Sequence, residues 1–202
     1  MNILTLGSSS LSRQMLLQES RISYICVPHL ADETIYDRTR PLEEVVDAIA
    51  LHKMKHVVLS DGTEGAVCYV LTADTMGCNT KETIQGKPRD RDDAIAMIIA
   101  ARDELRRCST AFYLDKKKWQ AGEWVTHDRI HSVVTSQYIF DVPDIWVDRY
   151  FESSNGLQAS GAIAIEGYGM QFLKMISGSY STIIGLPLYE LRQALEKMGF
   201  FF

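Results

Sequence analysis

The chain has 202 residues, 46% of them hydrophobic, which is enough to bury one substantial core and too few to indicate several domains. Its formal net charge is -5, with acidic and basic residues interspersed, so it lacks the basic stripe typical of proteins that bind nucleic acid polymers. We therefore expect one domain over residues 1–202 and exclude nucleic acid polymers as partners. A small anionic ligand stays open, because a few cations or a bound metal can reverse the local potential.

Cysteine spacing and hydropathy bear on the compartment. The four cysteines have no metal-type pair spacing, and no apolar run reaches the roughly 18 residues that a membrane helix requires. The apolar opening lacks a basic leader and is too short for a signal sequence. These features predict reduced thiols, no membrane partner and a cytoplasmic location.

The first half of the chain predicts a strand, a polar turn and a helix. Ile3 to Leu6 has the pattern of a buried strand, and helical spacing of apolar residues begins at Leu11. A second helix is predicted from Pro41 to about His56. The nearly continuous apolar run from Ala66 to Thr72 is typical of a strand covered on both faces, and we expect it to end at Asp74.

The second half continues the alternation. A helix opens at Asp90 to Asp93, with Arg102, Arg106 and Arg107 expected towards its end. The later segments with strand or helix patterns are two strands, Cys108 to Leu114 and Trp124 to Phe140, and two helices, Pro143 to Tyr150 and Pro187 to Gly199. Strands alternating with helices predict an α/β fold, in which the later strands are open to antiparallel pairing.

The turn before the first helix is a candidate anion site. Ser8, Ser9 and Ser10 join a strand to a helix start, where free backbone N–H groups and the helix dipole favour a phosphate. An ordinary capped turn is the alternative. Arg13 is poorly placed for the dipole in the first helical turn, so its presence is easier to explain if it meets a bound anion.

Two charged residues occupy positions where apolar ones are expected. Lys53 continues the stripe of Val46 and Ile49, which places its ammonium in a cleft or lets its stem pack while the head reaches water. Asp74 should emerge at the carboxyl end of a buried strand, where open α/β sheets place ligand sites. Capping of a turn is the alternative role for this aspartate.

Two loops carry further candidates. Asp32 and Glu33 lie in a polar loop and are either solvated or ligands for a hard divalent cation. Gly86-Lys87-Pro88 presents a lysine between two residues that fix the backbone. That loop could place an ammonium over a triphosphate, or be only a turn.

The order of these segments resembles the Maf nucleoside triphosphate pyrophosphatases over almost the full length. The serine loop, Ser8 to Arg13, takes the place of the family's Ser-x-Ser-Pro-Arg-Arg. Further matching segments are Asp32-Glu33-Thr34, Ala50-Leu51-His52-Lys53, Ala73-Asp74-Thr75, Gly86-Lys87-Pro88, Ala159 to Gly167 and Gly178 to Leu188.

The resemblance implies a Maf or inosine-triphosphatase-like fold, in which a mixed twisted sheet is flanked by helices and two lobes surround a central cleft. It implies hydrolysis of a nucleoside triphosphate between the α and β phosphates with Mg²⁺ or Mn²⁺, and homodimer formation by analogy. Asp74 would bind metal or activate water, with Glu33 assisting the metal. The remaining roles are triphosphate binding by Arg13, Lys53 and Lys87, and positioning by the serine loop.

Three departures from the family pattern leave the substrate open. Ser12 replaces the first of two arginines, Leu11 replaces a proline, and Glu166 replaces a glutamine. Glu166 is an acceptor-only anion, which would repel a phosphate unless it binds metal, and it could instead accept hydrogen bonds from a base. We expect a pyrimidine, modified or otherwise noncanonical nucleotide as substrate. The alternatives are a catalytically weakened nucleotide-binding or regulatory protein and an interaction protein with no nucleotide site.

Overall fold

The computed structural model describes residues 2–201. Its strands are β1 (Leu4–Leu6), β2 (Tyr24–Cys26), β3 (Val67–Cys78), β4 (Ile84–Gln85), β5 (Arg106–Gln120), β6 (Glu123–Phe140) and β7 (Leu173–Ser177). Its α-helices are α1 (Leu11–Glu19), α2 (Leu42–Lys55), α3 (Arg91–Ala101), α4 (Val147–Ser153), α5 (Tyr180–Ile184) and α6 (Leu188–Lys197). None of the helices within this range is long and apolar enough to cross a lipid bilayer.

The strands form one mixed sheet in the order β2-β1-β3-β5-β6-β7, with β4 paired to β3. The strand β1 runs parallel to β2 and β3, whereas the later pairs are antiparallel. Only Ala121 and Gly122 separate β5 from β6, both with positive φ, and so short a turn can join only antiparallel strands. The predicted α/β fold with a mixed sheet is confirmed.

Side chains of β3 alternate between two hydrophobic clusters. Tyr69 and Leu71 belong to the larger cluster, whereas Val70 and Met76 pack with α2 in the smaller one. This alternation confirms that the strand is covered on both faces. Because successive side chains point to opposite faces, Asp74 lies on the α2 side.

The prediction that the buried strand ends at Asp74 is wrong, since β3 continues to Cys78. Its antiparallel partner β5 pairs with it along the whole length, so the backbone stays extended beyond the aspartate. On the other edge of β3, β1 pairs only as far as Leu71, and β4 pairs from Gly77. Asp74 therefore lies where neither β1 nor β4 pairs with that edge.

The prediction that Arg106 and Arg107 end the third helix is also wrong. The helix α3 stops at Ala101, a turn with Asp103 at φ 55° follows, and both arginines begin β5. Arg106 is 3% exposed. The end of α3 could not be read from the sequence, because arginines are equally suited to the C-terminal turn of a helix and to an ion pair in a strand.

Candidate active site

A cleft of about 770 Å³ opens beside the unpaired edge of β3. The residues to which the family resemblance assigns substrate, metal or water binding all line this cleft. These residues are Ser8, Ser9, Ser10, Arg13, Glu33, Lys53, Asp74, Lys87 and Glu166. The structure thus brings together residues from separate parts of the chain, while their individual roles stay predictions.

Lys53 forms the most buried ion pair of the cleft. Its Nζ lies 2.8 Å from Oδ1 of Asp74 and 3.0 Å from Oε2 of Glu33, and the residue is 5% exposed. The ammonium is therefore held between two carboxylates, and the alternative in which it reaches bulk water is wrong. Its place in the last turn of α2 also suits the helix dipole.

One carboxylate oxygen of Asp74 lacks a hydrogen-bond partner among the described residues. Burial raises the pKa of Asp74 above the usual aspartate range, while the charges of Lys53 and Arg13 oppose that shift. Its Oδ2 is buried and has no hydrogen-bond partner within residues 2–201. A buried acceptor without a partner costs free energy, so this atom is suited to a bound water, a cation or a substrate group.

Arg13 connects three parts of the fold. Its guanidinium donates from Nε to the carbonyl of Gly185 at 3.0 Å, from Nη1 to Oγ of Ser8 at 3.2 Å, and from Nη2 to Oγ1 of Thr75 at 3.1 Å. Burial lowers its pKa, and the carboxylates of Asp74 and Glu33 oppose that effect. These contacts explain why a cation lies in the first turn of α1 even when no ligand is bound. They also hold the guanidinium in a fixed position in the lining of the cleft.

The serine loop is a capped turn that faces the cleft. Oγ of Ser10 accepts from the backbone N–H of Arg13 at 3.4 Å and caps α1, and Oγ of Ser8 accepts from the N–H of Ser10 at 3.2 Å. A Cβ on Gly7 would lie 2.9 Å from Cγ2 of Thr72. Only glycine therefore lets the loop pass so close to β3.

Lys87 lies on an exposed turn that is docked onto the segment 160–161, which also lines or adjoins the cleft. The carbonyl of Gly86 accepts from the N–H of Gly161 at 2.8 Å, and Ser160 donates to the carbonyl of Gln85. Gly161 has φ 65°, a left-handed conformation that favours glycine. The position of the lysine thus depends on the segment that leads to Glu166.

The sequence model of the family described as Maf-like protein matches residues 3–198. The chain belongs to the Maf-like protein family. A relative from Desulfotalea psychrophila, named dTTP/UTP pyrophosphatase, is 31% identical over 192 residues, which cover 95% of this chain and 92% of that protein. A relative from Trichormus variabilis, named nucleoside triphosphate pyrophosphatase, is 30% identical and covers 96% of this chain and 93% of its own.

A solved structure, of a HAM1 protein from Coxiella burnetii, aligns over 98% of this chain and 96% of its own at 17% identity. Its TM-score is 0.34, so the fold assignment rests on the sheet described above and on the family match.

Sequence reasoning missed two cleft residues of this Maf-like protein. Nε2 of His29 lies 3.7 Å from Oε1 of Glu33, and burial lowers the pKa of the histidine, with Lys53 adding to the shift. Arg38 lines the cleft with a guanidinium nitrogen near Gly86. Both residues lie in an irregular loop, where no periodicity shows which side chains face inward.

The two acids of the predicted pair behave differently in this Maf-like protein. Oδ1 of Asp32 accepts from the backbone N–H and from Oγ1 of Thr34, and the aspartate is exposed. Asp32 thus caps the short turn Glu33–Ile35, as adjacent acids in loops often do. Glu33 is the member that faces the cleft.

The two main departures from the family pattern contact each other. Oγ of Ser12 donates to Oε1 of Glu166 at 2.8 Å, although 154 positions separate the residues. The sequence treats them as independent changes. In the structure they form one hydrogen-bonded pair in the lining of the cleft.

The carboxylates of Glu33 and Asp74 suit a divalent cation that is bound together with the phosphates of a substrate. Within residues 2–201, no group of three or more His, Cys, Asp or Glu side chains is placed to hold a metal ion. However, Mg²⁺ is usually bound through one or two carboxylates together with waters and substrate phosphates. Glu33 and Asp74 supply two carboxylates of that kind, and Oδ2 of Asp74 is an oxygen without a protein partner.

Proposed function

We propose that this protein hydrolyses a nucleoside triphosphate between the α and β phosphates, releasing a nucleoside monophosphate and pyrophosphate. The substrate class is a pyrimidine, modified or otherwise noncanonical nucleotide. The observation that carries the proposal is the buried Lys53 ammonium held between Asp74 and Glu33 in a cleft that also contains Arg13. The names of its relatives, dTTP/UTP pyrophosphatase and nucleoside triphosphate pyrophosphatase, support the same reaction class.

Size and charge of the cleft support a nucleotide. Its volume of about 770 Å³ lies within the usual range of small-molecule sites. Cations line it from three elements of the fold, through Arg13 on α1, Lys53 on α2 and Lys87 on the docked turn. Phosphoryl transfer depends mainly on positioning and charge neutralisation, and converging cations meet that need.

Asp74 is the proposed acceptor of the proton of the attacking water. Its Oδ2, which has no partner among residues 2–201, can accept a hydrogen bond from that water. The water oxygen forms the new bond to phosphorus, the bridging P–O bond breaks, and pyrophosphate leaves. Mg²⁺ or Mn²⁺ held by Glu33 and Asp74 would neutralise charge on the phosphate oxygens.

A screen of natural and modified triphosphates with Mg²⁺ or Mn²⁺ tests the proposal when pyrophosphate is scored separately from orthophosphate. Pyrophosphate with one equivalent of monophosphate is the expected product. Orthophosphate as the product would place the cleavage elsewhere and overturn the proposal.

The contact between Ser12 and Glu166 favours a second candidate function, a nucleotide-binding or regulatory protein with weakened catalysis. Glu166 is an anion where the family pattern has a neutral glutamine, and Ser12 stands where that pattern has an arginine. Binding of triphosphates to the native protein without release of pyrophosphate would identify this case.

A further inference from the structure

Glu166 differs from the other cleft carboxylates in its partners. Glu33 and Asp74 share the ammonium of Lys53, whereas the described residues provide Glu166 with a hydrogen bond from the neutral hydroxyl of Ser12 and no ion pair. Glu166 is partly buried and lines the cleft. Its charge is therefore available to a ligand, in a defined orientation.

That charge separates two ends of the cleft. A triphosphate oxygen beside an uncompensated carboxylate would be repelled, so the phosphates belong with the cations and Glu166 faces another part of the nucleotide. The cleft also offers apolar lining residues to a base, namely Leu11, Ile163 and Ile183. Leu11 precedes Ser12 and is 71% exposed, which leaves its surface free for the face of a base.

An ionised carboxylate can only accept hydrogen bonds, so the atoms that a base presents decide the fit. Cytosine presents an amino donor at the position where uracil and thymine present a carbonyl acceptor. The N3–H of uracil lies between two carbonyl oxygens, which the carboxylate would repel. A glutamine, which both donates and accepts, imposes no such restriction.

We infer that the pair Ser12 and Glu166 is a base-recognition subsite that selects cytosine-type bases, which carry an amino group, over uracil and thymine. The inference rests on the proposed function, since it assigns the substrate within that class. Glu166 is the specificity-determining residue. Ser12 is a positioning residue, because its hydroxyl fixes one carboxylate oxygen and leaves the other free for the amino group.

The test compares CTP with UTP, which differ only in the base. For the native protein, kcat/KM for pyrophosphate release is expected to be roughly 10- to 100-fold higher with CTP, the range of one discriminating hydrogen bond to a charged group. Glu166→Gln should reduce the preference to about threefold or less, mainly by raising the rate with UTP. Ser12→Ala should give an intermediate preference. Glu152→Gln, a change on the exposed face of α4, is the matched control and should leave the ratio unchanged.

Three results would overturn the inference while leaving the proposed function intact. They are a native preference for UTP, equal kcat/KM for CTP and UTP in the native protein, and a CTP to UTP ratio unaffected by Glu166→Gln, whether or not that variant's Mg²⁺ requirement changes. In a second assay, the α,β-methylene analogues of CTP and UTP are titrated onto the native protein and Glu166→Gln. Tighter binding of the CTP analogue to the native protein alone supports the subsite even where turnover is absent. Failure of both analogues to bind would overturn the inference and the proposed function together.

Discussion

At the scale of single residues, the cleft contains charged side chains that were conspicuous in the sequence because they break a local pattern. Lys53 interrupts an apolar stripe, and the structure explains it by burial against Asp74 and Glu33. Such an anomaly predicts a cleft because an ammonium in a packed face needs partners. The pairing of Ser12 with Glu166 could not be predicted, since each residue alone looks like an ordinary polar substitution.

The first residue-scale prediction concerns Asp74. Asp74→Asn keeps the volume of the side chain but removes its negative charge, so it should retain the fold and lower the rate of pyrophosphate release by about 100-fold or more. Asp92→Asn, on the exposed first turn of α3, is the control and should keep the native rate. Circular dichroism of both variants checks the fold. Native turnover by Asp74→Asn would remove this carboxylate from the mechanism.

At the scale of elements, the course of β3 was only partly predictable. The sequence indicated a buried strand followed by an aspartate at a ligand site. The strand is present, and the aspartate lines the cleft. The end of β3 was predicted wrongly because Asp74 is a residue type that often ends a strand. The antiparallel partner β5, more than thirty residues further on, keeps the backbone extended to Cys78. Strand ends depend on pairing partners, which local patterns do not specify.

The turn that carries Lys87 gives the second prediction. Gly161→Ala would strain a residue at φ 65° and place a Cβ 2.8 Å from Oε1 of Gln85, so it should displace the Lys87 turn and raise KM for a triphosphate several-fold. Gly122→Ala is the matched control. It also has a positive φ, of 87°, but the added Cβ has no neighbour within 4 Å.

The two glycine variants separate strain from position. Left-handed alanine costs about 1 to 2 kcal/mol in either place, so thermal stability should fall in both variants, and further in Gly161→Ala because of the contact with Gln85. Only Gly161→Ala should alter steady-state kinetics. Equal kinetics in the two variants would show that docking of the turn does not set the position of Lys87.

The long β5–β6 hairpin gives the third prediction, through the buried Asp115. This carboxylate is 0% exposed and accepts two hydrogen bonds of 2.7 Å from Arg129, with Lys117 at 3.2 Å. Burial alone would raise its pKa, but these partners together lower it. Asp115→Asn should therefore reduce the free energy of unfolding at pH 7 by about 2 kcal/mol, since it leaves partly buried cations unpaired.

The pH dependence of that loss has a definite sign. Because the folded-state pKa of Asp115 is lowered, its contribution to stability is present above the unfolded value of about 3.9 and is lost as pH falls through the folded value. Urea titrations should thus show the native protein and Asp115→Asn converging as pH falls below about 4. The exposed Asp128→Asn on the same hairpin is the control and should change stability little. A gap of constant size down to low pH would contradict the ionic explanation.

At the scale of the whole molecule, the cleft joins segments from almost the entire chain, from Ser8 to Ile184. Composition and periodicity alone predicted the fold class and most helices. The convergence of the cleft residues was implied only by the resemblance of the ordered motifs to the Maf family. No local pattern specifies distances between distant loops. His29 and Arg38 entered the cleft without any such signal.

Because the cleft is lined by elements from both halves of the chain, a bound nucleotide should stabilise the whole fold against heat. A ligand that binds only the folded state contributes about 2.7 kcal/mol at 100 times its Kd, and for a protein of this size each kcal/mol raises Tm by about 2 to 4 °C. An α,β-methylene triphosphate with Mg²⁺ should therefore raise Tm by about 5 to 10 °C. The nucleoside with Mg²⁺ should raise Tm far less, because it lacks the phosphates that would bind Arg13, Lys53 and Lys87. Lys53→Met should lose most of the triphosphate effect, since the two carboxylates would then face the phosphates without their shared cation. Equal shifts with nucleoside and triphosphate would mean that the converging cations bind no phosphate, and the charged side of the cleft would need another explanation.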